Sequence, residues 1–155
     1  MDFENFKLLK FKMNKMVQHA SMVMIAKRGS GKSVVCRDIL YHNRDIPCGV
    51  IICPTEGLNG DYKKIFPDAF IHYDVTEALL KKIMTRQMLM YSKSKRKESE
   101  GKKVDPRCLL LMDDCLANKK NWNKITYIPI ILLNGRHYKL TYMFTMQDPI
   151  GMAPA

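Results

Sequence analysis

The chain has 155 residues, of which 46% are apolar, and these values suit one globular domain with a hydrophobic core. They exclude a two-domain protein and a wholly disordered chain. The formal net charge is +11, because 26 Lys and Arg residues outnumber 15 Asp and Glu residues; this excess favours a polyanionic partner, although a Lys-rich solvated surface fits it equally well.

The five cysteines form no CxxC pair and no Cys/His cluster with zinc-ligand spacing. Cys36, Cys53 and Cys108 lie within or beside apolar runs, so we expect buried free thiols in a reducing compartment. Residues 1–15 are charged throughout and lack the apolar core of a signal peptide, and no apolar stretch is long enough to span a bilayer. We therefore expect a soluble, intracellular protein without membrane insertion.

The first predicted elements are a strand at residues 22–26, a glycine-rich turn, and a helix at residues 34–41. Residues 26–33 read AKRGSGKS, which fits the Walker A pattern GxxxxGK(S/T) at every fixed position except the first, where Ala26 stands. Gly29 and Gly31 allow backbone conformations that point successive N–H groups inward as an anion nest. The following helix adds the partial positive charge of its N-terminus.

This turn predicts a binding site for ATP and Mg²⁺. Lys32 would reach the β- and γ-phosphates, and the Ser33 hydroxyl would ligate Mg²⁺. A chance turn of similar composition is the alternative, which the position between a strand and a helix disfavours. The residues that we assign to the nucleotide are Arg28, Gly29, Ser30, Gly31, Lys32, Ser33 and Val34.

The next predicted elements are a buried-type strand at residues 49–53, stopped by Pro54, and a third strand at residues 70–73. Residues 75–91 have the spacing of an amphipathic helix, with Thr76 as a candidate cap. Residues 92–103 form a basic run that we interpret as an exposed loop. This run either contacts DNA phosphates or is simply solvated.

A very apolar strand at residues 108–112 ends in two acids, Asp113 and Asp114. This is a Walker B pattern, and ligand sites of open α/β sheets lie at the carboxyl ends of strands. Asp113 would hold Mg²⁺ directly or through water, and Asp114 would polarise the attacking water. Without the upstream turn, an acid pair after a buried strand is equally well a loop start.

An apolar run at residues 128–133 precedes the last predicted strand, at residues 138–146, which ends at Gln147. Gln147 either senses the γ-phosphate and orients water or is a strand-ending turn residue. Arg136 lies in the loop before this strand and is either an arginine finger across a subunit interface or a solvated loop arginine. Strands that are apolar on both faces and alternate with helices predict an α/β fold with a mainly parallel sheet covered on both sides.

Four segments together resemble the genome-packaging ATPases of nucleocytoplasmic large DNA viruses, which belong to the FtsK–HerA superfamily of P-loop ATPases. The segments are residues 24–33, residues 110–115, the Asn-Gly-Arg-His element within residues 133–138, and residues 145–147. The Asn-Gly-Arg-His element before a strand ending in Gln is the most discriminating of these. The resemblance covers most of the chain from about residue 22 onward.

The resemblance implies a RecA-like core that forms a homo-oligomeric ring and moves double-stranded DNA into a capsid, with capsid proteins as further partners. It implies that Gln147 is the sensor and Arg136 the trans-acting arginine. It also implies a location in the host cytoplasm, at a virus factory, or in the virion. In such a core the strand ending at Gln147 should lie between the Walker A and Walker B strands.

The sequence departs from this family in three ways. Ala26 replaces the first Walker glycine, and Asp114 stands where relatives often have Glu. Relatives also continue past the Gln strand, so we expect residues 1–155 to form a single P-loop ATPase domain that is short at its C-terminus.

Two other functions remain open on the sequence. A small P-loop nucleotide or metabolite kinase shares Walker A and a similar length, although we find no clear Gly/Arg lid segment. A truncated nucleotide-binding module without turnover would bind ATP and assemble with a full-length ATPase.

Overall fold

The structure of the protein is a computed structural model, and it describes residues 9–115 and 124–147. The strands in these ranges are β1 (Ser21–Ile25), β2 (Gly49–Ile52), β3 (Ile71–His72), β4 (Cys108–Met112) and β5 (Leu140–Met146). The α-helices are α1 (Lys32–His42), α2 (Glu56–Asn59), α3 (Glu77–Ser99) and α4 (Tyr127–Asn134). Short 3₁₀ turns occur at Met13–Lys15, Asp68–Phe70 and Gly135–Tyr138.

The strands form one parallel sheet in the order β1-β5-β4-β2-β3. The strand that ends before Gln147 therefore lies between the Walker A strand β1 and the Walker B strand β4, as predicted. Every residue of β4 and of β5 is buried, because each of these strands has a neighbour on both edges and helices on both faces.

The alternation of side chains along the strands divides the core into two layers. Leu110 and Met112 of β4 face a cluster that includes residues of α3 and α4, whereas Leu109 and Leu111 face a cluster with residues of α1. Helices thus cover both faces of the central strands, whereas Val23 and Ile25, on one face of the edge strand β1, are about half exposed. The predicted α/β class with a mainly parallel sheet is confirmed.

The interpretation of residues 92–103 as a loop is wrong for residues 92–99, because α3 continues to Ser99, and only residues 100–103 lie outside the helix. The Thr76 side chain caps the start of this helix, accepting a hydrogen bond from the backbone N–H of Leu79 at 3.2 Å. Lys, Arg, Glu and Ser fill its last turns, and most of these are good helix formers even without an apolar stripe. The helix ends where Gly101 takes a left-handed φ of 72°.

Other elements differ from the prediction as well, and two of these differences change the type or length of an element most. The third strand has only two residues, Ile71 and His72, after a 3₁₀ turn. Arg136 lies in the 3₁₀ turn that directly continues α4, so the segment predicted as a loop is helical. None of the helices in the described residues is long and apolar enough to cross a membrane.

Candidate nucleotide-binding site

The glycine-rich turn lies between the end of β1 and the start of α1. Gly29 and Gly31 have φ values of 76° and 89°, in the left-handed region that favours glycine. Between them, Ser30 closes the turn through its backbone N–H and its hydroxyl, which both donate to the Lys27 carbonyl, at 3.3 and 2.6 Å. Both glycines therefore adopt backbone conformations that a residue with a side chain would rarely take.

Lys32 is the first residue of α1, and its ammonium group folds over the turn. It donates hydrogen bonds to the carbonyls of Ala26 and Lys27, the latter at 3.0 Å. The backbone N–H of Ala26 donates to Met146 at 3.2 Å, so this residue extends the pairing of β1 with β5. A methyl side chain is accommodated there, which explains how the turn forms without the first Walker glycine.

Asp113 follows β4 and is 6% exposed. Its Oδ2 accepts a hydrogen bond from the Tyr62 hydroxyl at 2.7 Å, and its Oδ1 accepts one from the Thr145 hydroxyl. Its own N–H donates to the Ile52 carbonyl at 2.9 Å. The carboxylate is held at both oxygens, and it still lines the cavity that contains Lys32.

Asp114 has a left-handed φ of 51°. Its backbone N–H donates to Thr145 Oγ1 at 3.0 Å, and its Oδ2 accepts a hydrogen bond from Gln147 Nε2. One threonine hydroxyl thus contacts both acids, and the turn directs Asp114 toward Gln147. Gln147 therefore contacts the second acid of the pair directly.

These groups share one cavity of about 590 Å³ at the carboxyl edge of the sheet. From the predicted set, the cavity is lined by Arg28, Gly29, Gly31, Lys32, Ser33, Val34, Asp113, Asp114 and Gln147. Ser30 is not among its lining residues, because its hydroxyl is turned back to Lys27. A second cavity of about 810 Å³ lies along α1, is lined mainly by apolar side chains, and contains neither Lys32 nor the acids.

Arg136 does not reach this cavity. It is exposed and precedes β5, whereas Gln147 follows β5. A strand of this length separates its two ends by about 20 Å. Within one chain, Arg136 therefore lies toward the opposite edge of the sheet from the phosphate turn.

No sequence pattern marks Tyr62 as a site residue; it lies in the connection between β2 and β3 and is 2% exposed. Burial, and then the Asp113 carboxylate, raise the pKa of Tyr62, so its hydroxyl stays protonated and donates. Thr145 had a weak signal, because it lies two residues before Gln147 on a strand aimed at the site. The cysteines predicted to be buried are buried, and desolvation raises the pKa of Cys36 to about 12.

The residues present fit Mg²⁺ bound together with a nucleotide. In the described part of the chain, no group of three or more His, Cys, Asp or Glu side chains could hold a metal ion. Mg²⁺ needs no such group, because it commonly takes one or two protein oxygens, several waters and substrate phosphates. Asp113 and Ser33 line the same cavity and would supply those oxygens.

Comparison with known proteins finds viral relatives. The chain is 56% identical over 154 residues to uncharacterized protein L437 of Acanthamoeba polyphaga mimivirus, covering 99% of this chain and 54% of the relative. It is 34% identical over 137 residues to uncharacterized protein 075L of Invertebrate iridescent virus 6, covering 88% and 50%. It is 33% identical over 134 residues to uncharacterized protein 015R of Frog virus 3, covering 86% and 39%. The chain spans about half the length of the first two and less of the third.

No family model matches the chain. Among solved structures, it is similar to the pCW3 conjugation coupling protein TcpA in its monomer form with ATPγS. The TM-score is 0.55 at 17% identity, over 83% of this chain and 42% of that one. The chain is thus similar in sequence to viral proteins, and it shares its α/β fold with a coupling protein that was solved with an ATP analogue.

Proposed function

We propose that this chain is the ATP-binding part of a DNA-translocating P-loop ATPase that packages viral double-stranded DNA into a capsid. The observation that carries the proposal is the cavity at the carboxyl edge of the sheet, where β5 brings Gln147 between the phosphate turn and the acid pair. This strand order disfavours the small-kinase alternative, for which neighbouring Walker strands are expected.

Each residue has a distinct role in the proposed hydrolysis of ATP. The N–H groups of the turn and the start of α1 bind phosphate oxygens, and Lys32 moves from the carbonyls of its own turn to the β- and γ-phosphates. Ser33 and Asp113 would hold Mg²⁺, which would supply charge neutralisation for phosphoryl transfer when bound. Asp114 accepts the proton of the attacking water, and the Gln147 amide orients that water.

Translocation on DNA is supported by the net charge of +11, by the basic end of α3 and by the resemblance to packaging ATPases. A ring is supported by the position of Arg136, which within one chain lies far from the cavity that contains Lys32. An arginine so placed could complete the site of a neighbouring copy. In this proposal the protein acts in the host cytoplasm or the virion, with capsid proteins as further partners.

ATP turnover with and without double-stranded DNA tests the proposal. We expect the unaltered chain to bind ATP, and DNA to raise its turnover. Lys32→Ala should lose nucleotide binding, whereas Lys27→Ala, which removes an exposed lysine of the same turn, should keep it. Asp114→Asn should bind ATP with Mg²⁺ and lose hydrolysis.

The alternatives predict other results. Binding of ATP without turnover would favour a nucleotide-binding module that works with a longer ATPase. Phosphoryl transfer to a small acceptor would favour a kinase. Equal ATP affinity in Lys32→Ala and the unaltered chain would refute the phosphate site itself.

The role of Arg136 in a neighbouring copy is tested by mixing two inactive variants. If Arg136 acts on a neighbouring copy, Arg136→Ala mixed with Asp114→Asn should regain part of the activity, because some interfaces then carry both intact groups. No recovery in demonstrated mixed oligomers would refute the finger role, and full activity of a monomer would refute the ring.

A further inference from the structure

The Asp113 carboxylate owes its orientation to two hydroxyl groups. Tyr62 donates to one oxygen at 2.7 Å and Thr145 donates to the other. A carboxylate oxygen has two lone pairs, so each oxygen keeps one that these contacts do not use. Tyr62 lines the same cavity as Asp113 but is only 2% exposed, so its hydroxyl holds the carboxylate from the cavity wall.

Tyr62 is itself fixed by its backbone. Its N–H and the N–H of Lys63 both donate to Oε1 of Glu56, at 2.8 and 2.9 Å. Glu56 is 1% exposed, so its carboxylate is available to these backbone N–H groups rather than to solvent. The Tyr62 carbonyl accepts from Ile65 at 3.0 Å and from Phe66 at 2.8 Å.

The segment around Tyr62 is also tied to the helix of the phosphate turn. Asp61 forms an ion pair with Arg37 of α1, with 3.3 Å between the charged atoms. The β2–β3 connection therefore contacts both halves of the site, through a surface ion pair on one side and a buried hydroxyl on the other.

We propose that Tyr62 is a positioning residue for metal binding, which holds the Asp113 carboxylate so that its unused lone pairs are available to a divalent cation in the cavity. The inference rests on the proposed function, since it requires ATP and a divalent cation in this cavity. Partners of ligating carboxylates fix ligand orientation, and their loss commonly weakens metal binding by roughly 10–100-fold. The role falls to a residue outside both Walker motifs.

The test measures binding of Mn²⁺, as a paramagnetic substitute for Mg²⁺, to the full chain loaded with ATPγS. Tyr62→Phe keeps the ring and removes only the hydroxyl. Tyr142→Phe is the matched control, because Tyr142 is 4% exposed and its hydroxyl donates to the Leu132 carbonyl at 3.0 Å, outside the cavity. Free Mn²⁺ is read from its electron paramagnetic resonance signal, and ATPγS affinity is measured separately in EDTA.

We expect Tyr62→Phe to weaken Mn²⁺ binding by roughly tenfold or more and to leave ATPγS affinity in EDTA unchanged. Tyr142→Phe should change neither. Unchanged Mn²⁺ affinity in Tyr62→Phe, an equal loss in Tyr142→Phe, or a loss of ATPγS affinity in EDTA would each overturn the positioning role. If the unaltered chain binds no ATPγS, the proposed function is refuted, and this inference is refuted as well because it requires nucleotide binding.

Discussion

Thr145 offers a sharp test of the site without any ligand. It is fully buried; its hydroxyl donates to Asp113 and accepts from the N–H of Asp114 at 3.0 Å. Thr145→Val keeps the shape and β-branching of the side chain and removes both hydrogen bonds. Thr145→Ser keeps the hydroxyl and removes one methyl group.

The two substitutions should differ in the free energy of unfolding. A hydrogen bond to a charged group contributes about 1.5–3 kcal/mol and a neutral one about 0.5–1.5 kcal/mol, so Thr145→Val should lose roughly 2–4 kcal/mol. Thr145→Ser should lose only about 1 kcal/mol, the value of one buried methyl group. A loss of this size is a large share of the roughly 5–15 kcal/mol that stabilises a typical domain.

Urea unfolding followed by circular dichroism measures both losses from the midpoint and slope of the transition. The test depends on which of the two variants has the lower free energy of unfolding. If Thr145→Ser is less stable than Thr145→Val, or if Thr145→Val is as stable as the parent, the hydroxyl does not bridge the two acids.

Three further predictions test the fold. Gly49→Ala should lose roughly 1–3 kcal/mol of unfolding free energy, because its Cβ would overlap the Phe66 ring, whereas Gly57→Ala has more room and should lose less. Thr76→Ala should lose about 1 kcal/mol with its cap, and helicity from circular dichroism should fall. Burial, and then nearby cations, lower the pKa of His19, so the unfolded chain binds the extra proton and stability should fall as pH drops below about 6.5. His19→Asn should flatten that pH profile in urea titrations, and an unchanged profile would remove His19 as its cause.

The central sheet could be predicted because the apolar runs of its strands are visible in the sequence itself. β4 and β5 are apolar at nearly every position, which only a strand covered on both faces allows. Asp113, Asp114 and Gln147 could be placed in the site because they follow these strands directly. Their side chains share one edge wherever the strands run parallel.

Other parts of the structure depend on contacts between distant residues. Tyr62 and Asp113 are 51 positions apart, and nothing near Tyr62 in the sequence marks it as a partner of the acid. The end of α3 was missed for another reason. Its last turns are polar and solvated, so they lack the apolar stripe by which a helix is recognised in a sequence.

The left-handed backbone of Asp114 limits which acid this position accepts. Asp and Asn adopt a positive φ several times more readily than longer side chains, and the φ of 51° falls in that region. A glutamate there would strain the backbone and would extend one methylene further past the Gln147 amide. In this chain the choice of aspartate is therefore coupled to the geometry of the turn, and Asp114→Glu is not a conservative exchange. Among relatives, we expect aspartate at this position to occur together with a left-handed backbone, and glutamate with an ordinary one.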